Sequence, residues 1–295
     1  MRKPKVSSLI LPWLFLLPAL LTFAWFKFIP MFKGLEMSFY KVNFGSESQW
    51  VGLDNFARIL SDQALHHATG NTLLYVAVTV FLSALIAFFL ALVLEGPARH
   101  LRIIRTAIFL PAVTSAAIVA EIWRIVFFPT EAGVMNHALS WFDIAPQGFL
   151  SDPMQSIMTL MALHVWKHVP YDIVIFVAGL ATINRDLYDA ASVDGANAWQ
   201  KLMHVTLPAM TGTIGIVVML GVIRGVRVFT EVYATTGGGP AGSTEMIMTH
   251  VYKIGFDQFD YGYASAVSFL LFVFTVTLTT AYLLFKRHLQ AKSGA

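Results

Sequence analysis

Six stretches of the chain are each apolar enough and long enough to cross a lipid bilayer, and no other feature restricts the fold so severely. They lie at about 9–29, 71–94, 103–128, 155–183, 207–233 and 264–285. Each supplies the roughly 20 residues that a helix rising ~1.5 Å per residue needs to span the hydrocarbon. A water-soluble alternative fails on surface chemistry. Apolar residues are 57% of the 295 and charged ones only 13%, which leaves too little polar surface to cover a globule. The 24 Phe and 7 Trp suit a lipid-facing surface with interfacial anchors. The expectation is an all-α membrane protein, a single transmembrane domain over 1–295. With no cysteine, disulfides and thiolate metal sites are out of reach. The net charge of +3 is modest, and no basic, aromatic face gathers outside the apolar runs, so lipid rather than nucleic acid is the expected surrounding.

Charge placement orients the spans. Arg2, Lys3 and Lys5 precede the first run, as in a signal peptide. The run is longer than an ordinary signal core, however, and no small-x-small cleavage pattern ends it, so it reads as a retained first helix. Pro12 and Pro18 lie inside it, which membrane helices tolerate. Six spans put both ends on one side. That side holds Arg2, Lys3, Lys5, Arg99, Arg102, Arg105, Arg185, Lys201, Lys286, Arg287 and Lys292, eleven in all; the other holds four, Lys33, Lys41, Arg58 and Lys253. The positive-inside rule therefore predicts cytoplasmic termini and a cytoplasmic 184–206 loop.

That loop, Asn184 to Pro208, is the longest charged, small-residue interlude between two apolar blocks. Asp186 is placed to cap a short helix, with Asp189 three residues on. Leu187, Ala190 and Ala191 share one shallow face at i, i+3, i+4. Gly195 can take the positive φ that ends a helix, and Pro208 suits the first turn of the next. The spacing predicts a helix–turn–helix at the membrane surface, with a face smooth enough for a partner's groove. For an arbitrary loop, a plain polar connector would be the default.

The order Asp189-Ala190-Ala191, Gly195, then Val205-x-Leu207-Pro208 resembles the EAA loop of bacterial ABC-importer permeases, with Asp189 for the usual Glu and Val205 for the usual Ile. Other words are similar to sugar permeases of the maltose and glycerol-phosphate type: V-G-L-D-N-F at Val51–Phe56, G-V-M-N-H-A-L at Gly133–Leu139, T-G-G-G-P at Thr236–Pro240, Y-K-I-G-F at Tyr252–Phe256 and D-Y-G-Y-A-S-A at Asp260–Ala266. The resemblance covers about residues 50 to 268. It implies the type I ABC-importer permease fold, five core helices and a more peripheral first one, with a cytoplasmic coupling helix. It implies a subunit of an ATP-driven, binding-protein-dependent importer of a sugar, oligosaccharide or sugar derivative, working by alternating access in the bacterial inner membrane. The implied partners are a second, non-identical permease, two cytoplasmic ATPase subunits that bind ATP and Mg, and an extracytoplasmic solute-binding protein. This chain itself would hold no cofactor and catalyse nothing. In the coupling loop, Asp189 would make a charged contact to the ATPase, Ala190 and Ala191 the close fit and Gly195 the turn, with Leu207 and Pro208 closing the motif.

Ionisable groups inside spans are costly and mark function by default. Span four carries His164, Lys167, His168 and Tyr171 at i, i+3, i+4, i+7; span five carries Gly221, Arg224, Gly225 and Val228, with Arg227 and Glu231 beside them. The two spans run antiparallel around the loop, so both stripes are expected at similar depth, slightly outward of the midplane, where transporters place substrate. If they line the pathway it is basic, which suits an anionic saccharide, with Trp166 or Tyr171 available for stacking. The alternative is structural pairing, Arg227 with Glu231 and Glu121 with Arg124. His164-x-x-x-His168 has metal-ligand spacing, but without a third ligand in the sequence no metal is expected. T-G-G-G-P is no phosphate loop, for it lacks the Lys and lies outside. Two other classes compete. An ion-coupled secondary transporter needs a lone intramembrane carboxylate, and Asp172, beside Pro170-Tyr171, is the nearest. A membrane enzyme needs H-E-x-x-H or paired carboxylates, which are missing.

Overall fold

The computed structural model describes residues 6–42, 45, 47–96 and 98–292, with side chains described between 11 and 287. Arg2, Lys3 and Lys5, and the side chain of Lys292, lie outside the described residues. In chain order the helices are α1 (Val6–Phe23), α2 (Ile29–Met37), α3 (Asp54–Ile59), α4 (Gln63–Leu94), α5 (Arg99–Val113), α6 (Ala116–Val126), α7 (Val134–Ser140), α8 (Pro153–Leu180), α9 (Arg185–Val193), α10 (Ala198–Lys201), α11 (Leu207–Val226), α12 (Thr230–Thr235), α13 (Ile247–Tyr252) and α14 (Tyr261–Lys292). A two-residue hairpin, β1 (Tyr40–Lys41) and β2 (Gln49–Trp50), pairs Tyr40 with Trp50 and Lys41 with Gln49. Among the described residues, five helices are long and apolar enough to cross a membrane, and six spans result if the bent pair α5 and α6 forms one.

The helices overrun the apolar runs. The second starts at Gln63 and the last ends at Lys292, because hydropathy reads the hydrocarbon layer while a helix, once nucleated, continues at little cost. One expectation about continuity is corrected. The third span is not one helix over 103–128: it bends by 95° between α5 and α6, where Thr114 and Ser115 adopt extended backbone just after Pro111. Pro208 does lie in the first turn of α11, as expected, but that turn is not a fresh start. α10 runs into α11 through a π-helical stretch, Leu202–Thr206, with the Leu207 N–H reaching the Leu202 carbonyl. The same stretch, Ala24–Phe28, joins α1 to α2 two residues before Pro30. In both places the widened turn relieves the clash between the proline ring and the carbonyl four residues back.

The chain divides into two compact units. One comprises the described residues of Met1–Asp62 with Val251–Phe274. In it, two distant sequence words meet. The buried Asn55 side chain donates to the carbonyls of Ser38 (2.9 Å) and Tyr40 (3.0 Å), fixing the hairpin. Arg58 pairs with Asp260 at 2.6 Å and lies 3.9 Å from the Tyr263 ring centroid, while the Tyr263 hydroxyl donates to Asp62 at 2.7 Å.

The other unit is Gln63–His250 with the rest of the last helix. Its core packs α4 against α8 and α11. Phe88, Ala91 and Leu94 face Val169, Ile173, Phe176 and Leu180, with Met210 and Val217 closing the layer. These recur at three and four residues along each helix, the period of one buried stripe. At Gly225 a Cβ would lie 2.9 Å from the Val76 side chain, so only glycine lets α11 approach α4 this closely.

Candidate functional site

The polar residues of α8 and α11 converge on a cavity of about 360 Å³, lined by Ala116 of α6, His164, Lys167 and His168 of α8, Ile223 and Arg224 of α11, and the segment Arg227–Glu231 that leads into α12. Its charges are organised around Glu231, which is 6% exposed. One carboxylate oxygen accepts from His164 Nδ1 at 2.8 Å, the other lies 3.3 Å from Lys167 Nζ, and the Tyr75 hydroxyl of α4 donates to the first at 3.5 Å. His168 Nδ1 donates to the His164 carbonyl at 2.9 Å, and the two imidazoles stack with centroids 3.9 Å apart. Since a carboxylate and a carbonyl only accept, both histidines donate from Nδ1. Arg224 pairs with Asp172, buried to 1% exposure, at 2.6 Å.

Several expectations change here. Arg227 and Glu231 do not neutralise each other, because α11 ends at Val226 and Phe229 (φ −139°, ψ −66°) turns the chain before α12 starts. Glu231 pairs across to α8 instead. Asp172 is not a lone carboxylate, which removes the feature that an ion-coupled carrier would have used. Tyr171 does not line the cavity: its hydroxyl donates to the Ala112 carbonyl at 2.6 Å, satisfying a backbone group exposed by the α5–α6 break, and its ring meets Phe109 edge-on. Glu121 and Arg124 do pair, at 3.1 Å, both exposed. Glu231 is the third ligand that the sequence did not offer to His164 and His168, and their ligand atoms lie within 4.8 Å of one another. Lys167 and Arg227 border the same space, and their charge opposes a bound cation. Lys167, Arg224 and Arg227 outnumber Glu231 and Asp172, and this balance favours an anion.

The loop between the two spans is a helix–turn–helix. Asn184, not Asp186, caps α9: its side chain accepts from the Asp186 N–H at 3.0 Å, which puts Asp186 inside the first turn, where a carboxylate suits the helix dipole. Asp189 and Ala190 are exposed and Ala191 is half-buried. Gly195 has φ +78°, the left-handed turn expected of it. Asn197 and Gln200 form a capping box for α10, a signal present in the sequence as N-x-x-Q. Polar contacts fasten α9: Tyr188 to Thr206 at 2.9 Å, Lys201 Nζ to Ser192 Oγ at 2.7 Å, and an Arg185–Glu95 ion pair to the end of α4. Leu187, Val193 and Trp199 are exposed on this otherwise polar surface.

Residues 83–292, which contain both the cavity and the loop, match the family described as the binding-protein-dependent transport system inner membrane component. The chain belongs to that family. The permease is 30% identical over 285 residues to the trehalose/maltose transport system permease protein MalF of Thermococcus litoralis, covering 95% of each chain. It matches a crystal structure of a bacterial ABC transporter that imports the acidic polysaccharide alginate, with a TM-score of 0.80, 26% identity and 97% of both chains covered. A bacterial alginate ABC transporter in complex with an alginate pentasaccharide-bound periplasmic protein matches with a TM-score of 0.79, 25% identity and 98% of both chains covered. The permease is thus a multi-pass membrane subunit of an ABC importer, as the EAA-like spacing implied. Sequence reasoning missed Tyr75, Asp172 and Glu95 as charge partners. Each meets its partner across tens of residues, and only the apolar context of Tyr75 and Asp172 marked them as unusual.

Proposed function

We propose that the permease carries an acidic oligosaccharide, passing it through the cavity between α6, α8, α11 and α12 by alternating access. The observation that carries this reading is the surplus of positive charge on the cavity wall: Glu231 and Asp172 answer Lys167 and Arg224, while Arg227, exposed on the same wall, is left for a ligand to answer. His164, Lys167, His168, Arg224 and Arg227 form the polar wall. Tyr171 supports the wall from behind. The alginate transporter to which the permease is similar imports an acidic polysaccharide, which supports the same substrate class.

The reading assigns a second, non-identical permease, two cytoplasmic ATPase subunits and an extracytoplasmic binding protein as partners, with both termini in the cytoplasm. The α9–α10 loop is the element that docks on the ATPase. Asp189, Ala190 and Ala191 give it a small, acidic contact face, and Gly195 sets the angle between its helices. Leu207 and Pro208 continue it into α11 through the π-helical turn, so motion of the loop pulls directly on a cavity-lining helix. ATP closure moves the loop only if its docking differs between the two states.

The test is ATP-dependent uptake by the assembled complex in vesicles, wild type against Gly195→Pro. Proline cannot adopt φ +78°, so the loop loses its angle. Loss of uptake and of substrate-stimulated ATP hydrolysis, with the complex still in the membrane, is the expected result. Full-rate uptake would remove the coupling role.

A further inference from the structure

Glu231 places a carboxylate among the cationic side chains that line this cavity. It belongs to α12, a short helix set off from α11 by the turn at Phe229 and from the next segment by Gly237 (φ +60°) and Gly238 (φ +94°). α12 packs chiefly on α6, the outer half of the bent span. The Glu231 carboxylate ties α12 to α8, held by His164 at 2.8 Å and Lys167 at 3.3 Å; Val232 adds apolar packing against Leu160 and Met161.

We infer that Glu231 is a built-in counter-ion occupying the place where a substrate carboxylate docks, so that an arriving carboxylate displaces it and loosens α12 from α8. This rests on the acidic-oligosaccharide reading above. The cradle of an imidazole N–H, an ammonium and the Tyr75 hydroxyl is what a free carboxylate would need, and His164 and Lys167 of it line the cavity, with Tyr75 buried behind. Arg227 sits on the same wall, exposed and without a carboxylate partner among the described residues, placed to draw the anion in. Two carboxylates cannot share the cradle, because like charges at that separation repel strongly in a buried site. Occupancy by substrate therefore means release of Glu231. That exchange supplies the differential contact between empty and loaded states on which substrate-dependent gating depends. A neutral sugar has no group that replaces the carboxylate, and leaves α12 fastened.

The decisive experiment measures ATP hydrolysis by the complete complex in proteoliposomes with its binding protein. The probes are a uronate trisaccharide and its uncharged hexose counterpart. Wild type should be stimulated by the uronate form and little by the neutral one. Glu231→Gln should hydrolyse ATP without substrate near the stimulated rate, so that the stimulation ratio falls to roughly one. Because that variant leaves Lys167 buried without its partner, Glu231→Gln with Lys167→Gln is made in parallel. The pair carries no unmatched charge and should show the same collapsed ratio even if the single variant assembles poorly. A merely structural Glu231 would lower yield and all rates together and leave the ratio as in wild type. If wild type prefers the uronate probe and both variants keep its ratio, the displacement idea is overturned and the acidic-substrate reading stands. If wild type responds equally to both probes, the acidic-substrate reading falls and takes the displacement idea with it.

Discussion

Asp172 and Arg224 illustrate how a buried pair is committed. With Asp172 at 1% exposure and 2.6 Å from its partner, converting the carboxylate to an amide strands a guanidinium in a membrane-depth site. Breaking one side of such a pair costs on the order of 3–5 kcal/mol, whereas removing both sides is close to neutral. Asp172→Asn should therefore lower the thermal midpoint of the purified complex sharply, and Asp172→Asn with Arg224→Met should recover most of it. Equal losses for the single and double variants would show that the pair contributes no coupling. Tyr171 lives at the same scale with a different job. Tyr171→Phe removes one donor from the Ala112 carbonyl and leaves the cavity charges in place. The expected outcome is a stability loss of about 1–2 kcal/mol with unchanged preference between acidic and neutral substrate. A changed preference would return Tyr171 to the pathway wall.

At the scale of elements, the exposed apolar residues of the α9–α10 loop carry a prediction. Leu187, Val193 and Trp199 are 51%, 88% and 62% exposed on a polar surface, the mark of an unfilled interface rather than of a core. Val193→Asp should leave membrane insertion intact and weaken recovery of the ATPase with the permease at least several-fold. Undiminished co-purification would place the docking face elsewhere. The loop is also where the sequence was most legible. Gly195, the shallow Ala190–Ala191 face and the helix–turn–helix all follow from short-range chemistry, and only the cap moved, from Asp186 to Asn184. The six apolar runs were legible for the same reason. What escaped was set over long range or by a break. Hydropathy continues straight through Thr114–Ser115 and through Arg227–Phe229, so neither the 95° bend nor the end of α11 left a trace in it. Once α11 stops at Val226, the i, i+4 relation between Arg227 and Glu231 loses its meaning. Glu231 then finds partners 64 and 67 residues away on α8.

The whole molecule is built for surroundings that a lone chain does not provide. In the first span no residue of the apolar window is buried within the chain, and Trp13, Phe15, Trp25 and Phe26 are all more than half exposed, which requires lipid or another subunit around it. Orientation in that lipid follows from the distribution of arginine and lysine, and the absence of cysteine makes it directly testable. A single cysteine introduced at Ser192, exposed on α9, should react with a membrane-impermeant maleimide only when the reagent reaches the cytoplasmic face. One introduced at Ala132, exposed in the stretch before α7 that carries no Lys or Arg, should react only from the outside. The two sites are linked through the single span α8, so opposite labelling fixes the direction of that helix. His164 lies nearer its Pro153 end and Lys167 at its middle, while Phe176 and Leu180 lie nearer the loop. Outside labelling at Ala132 therefore puts the cavity toward the face from which a binding protein delivers substrate. Reversed labelling would turn the charge cluster toward the cytoplasm and move the α9–α10 loop out of reach of ATP, and import by this arrangement could not be maintained.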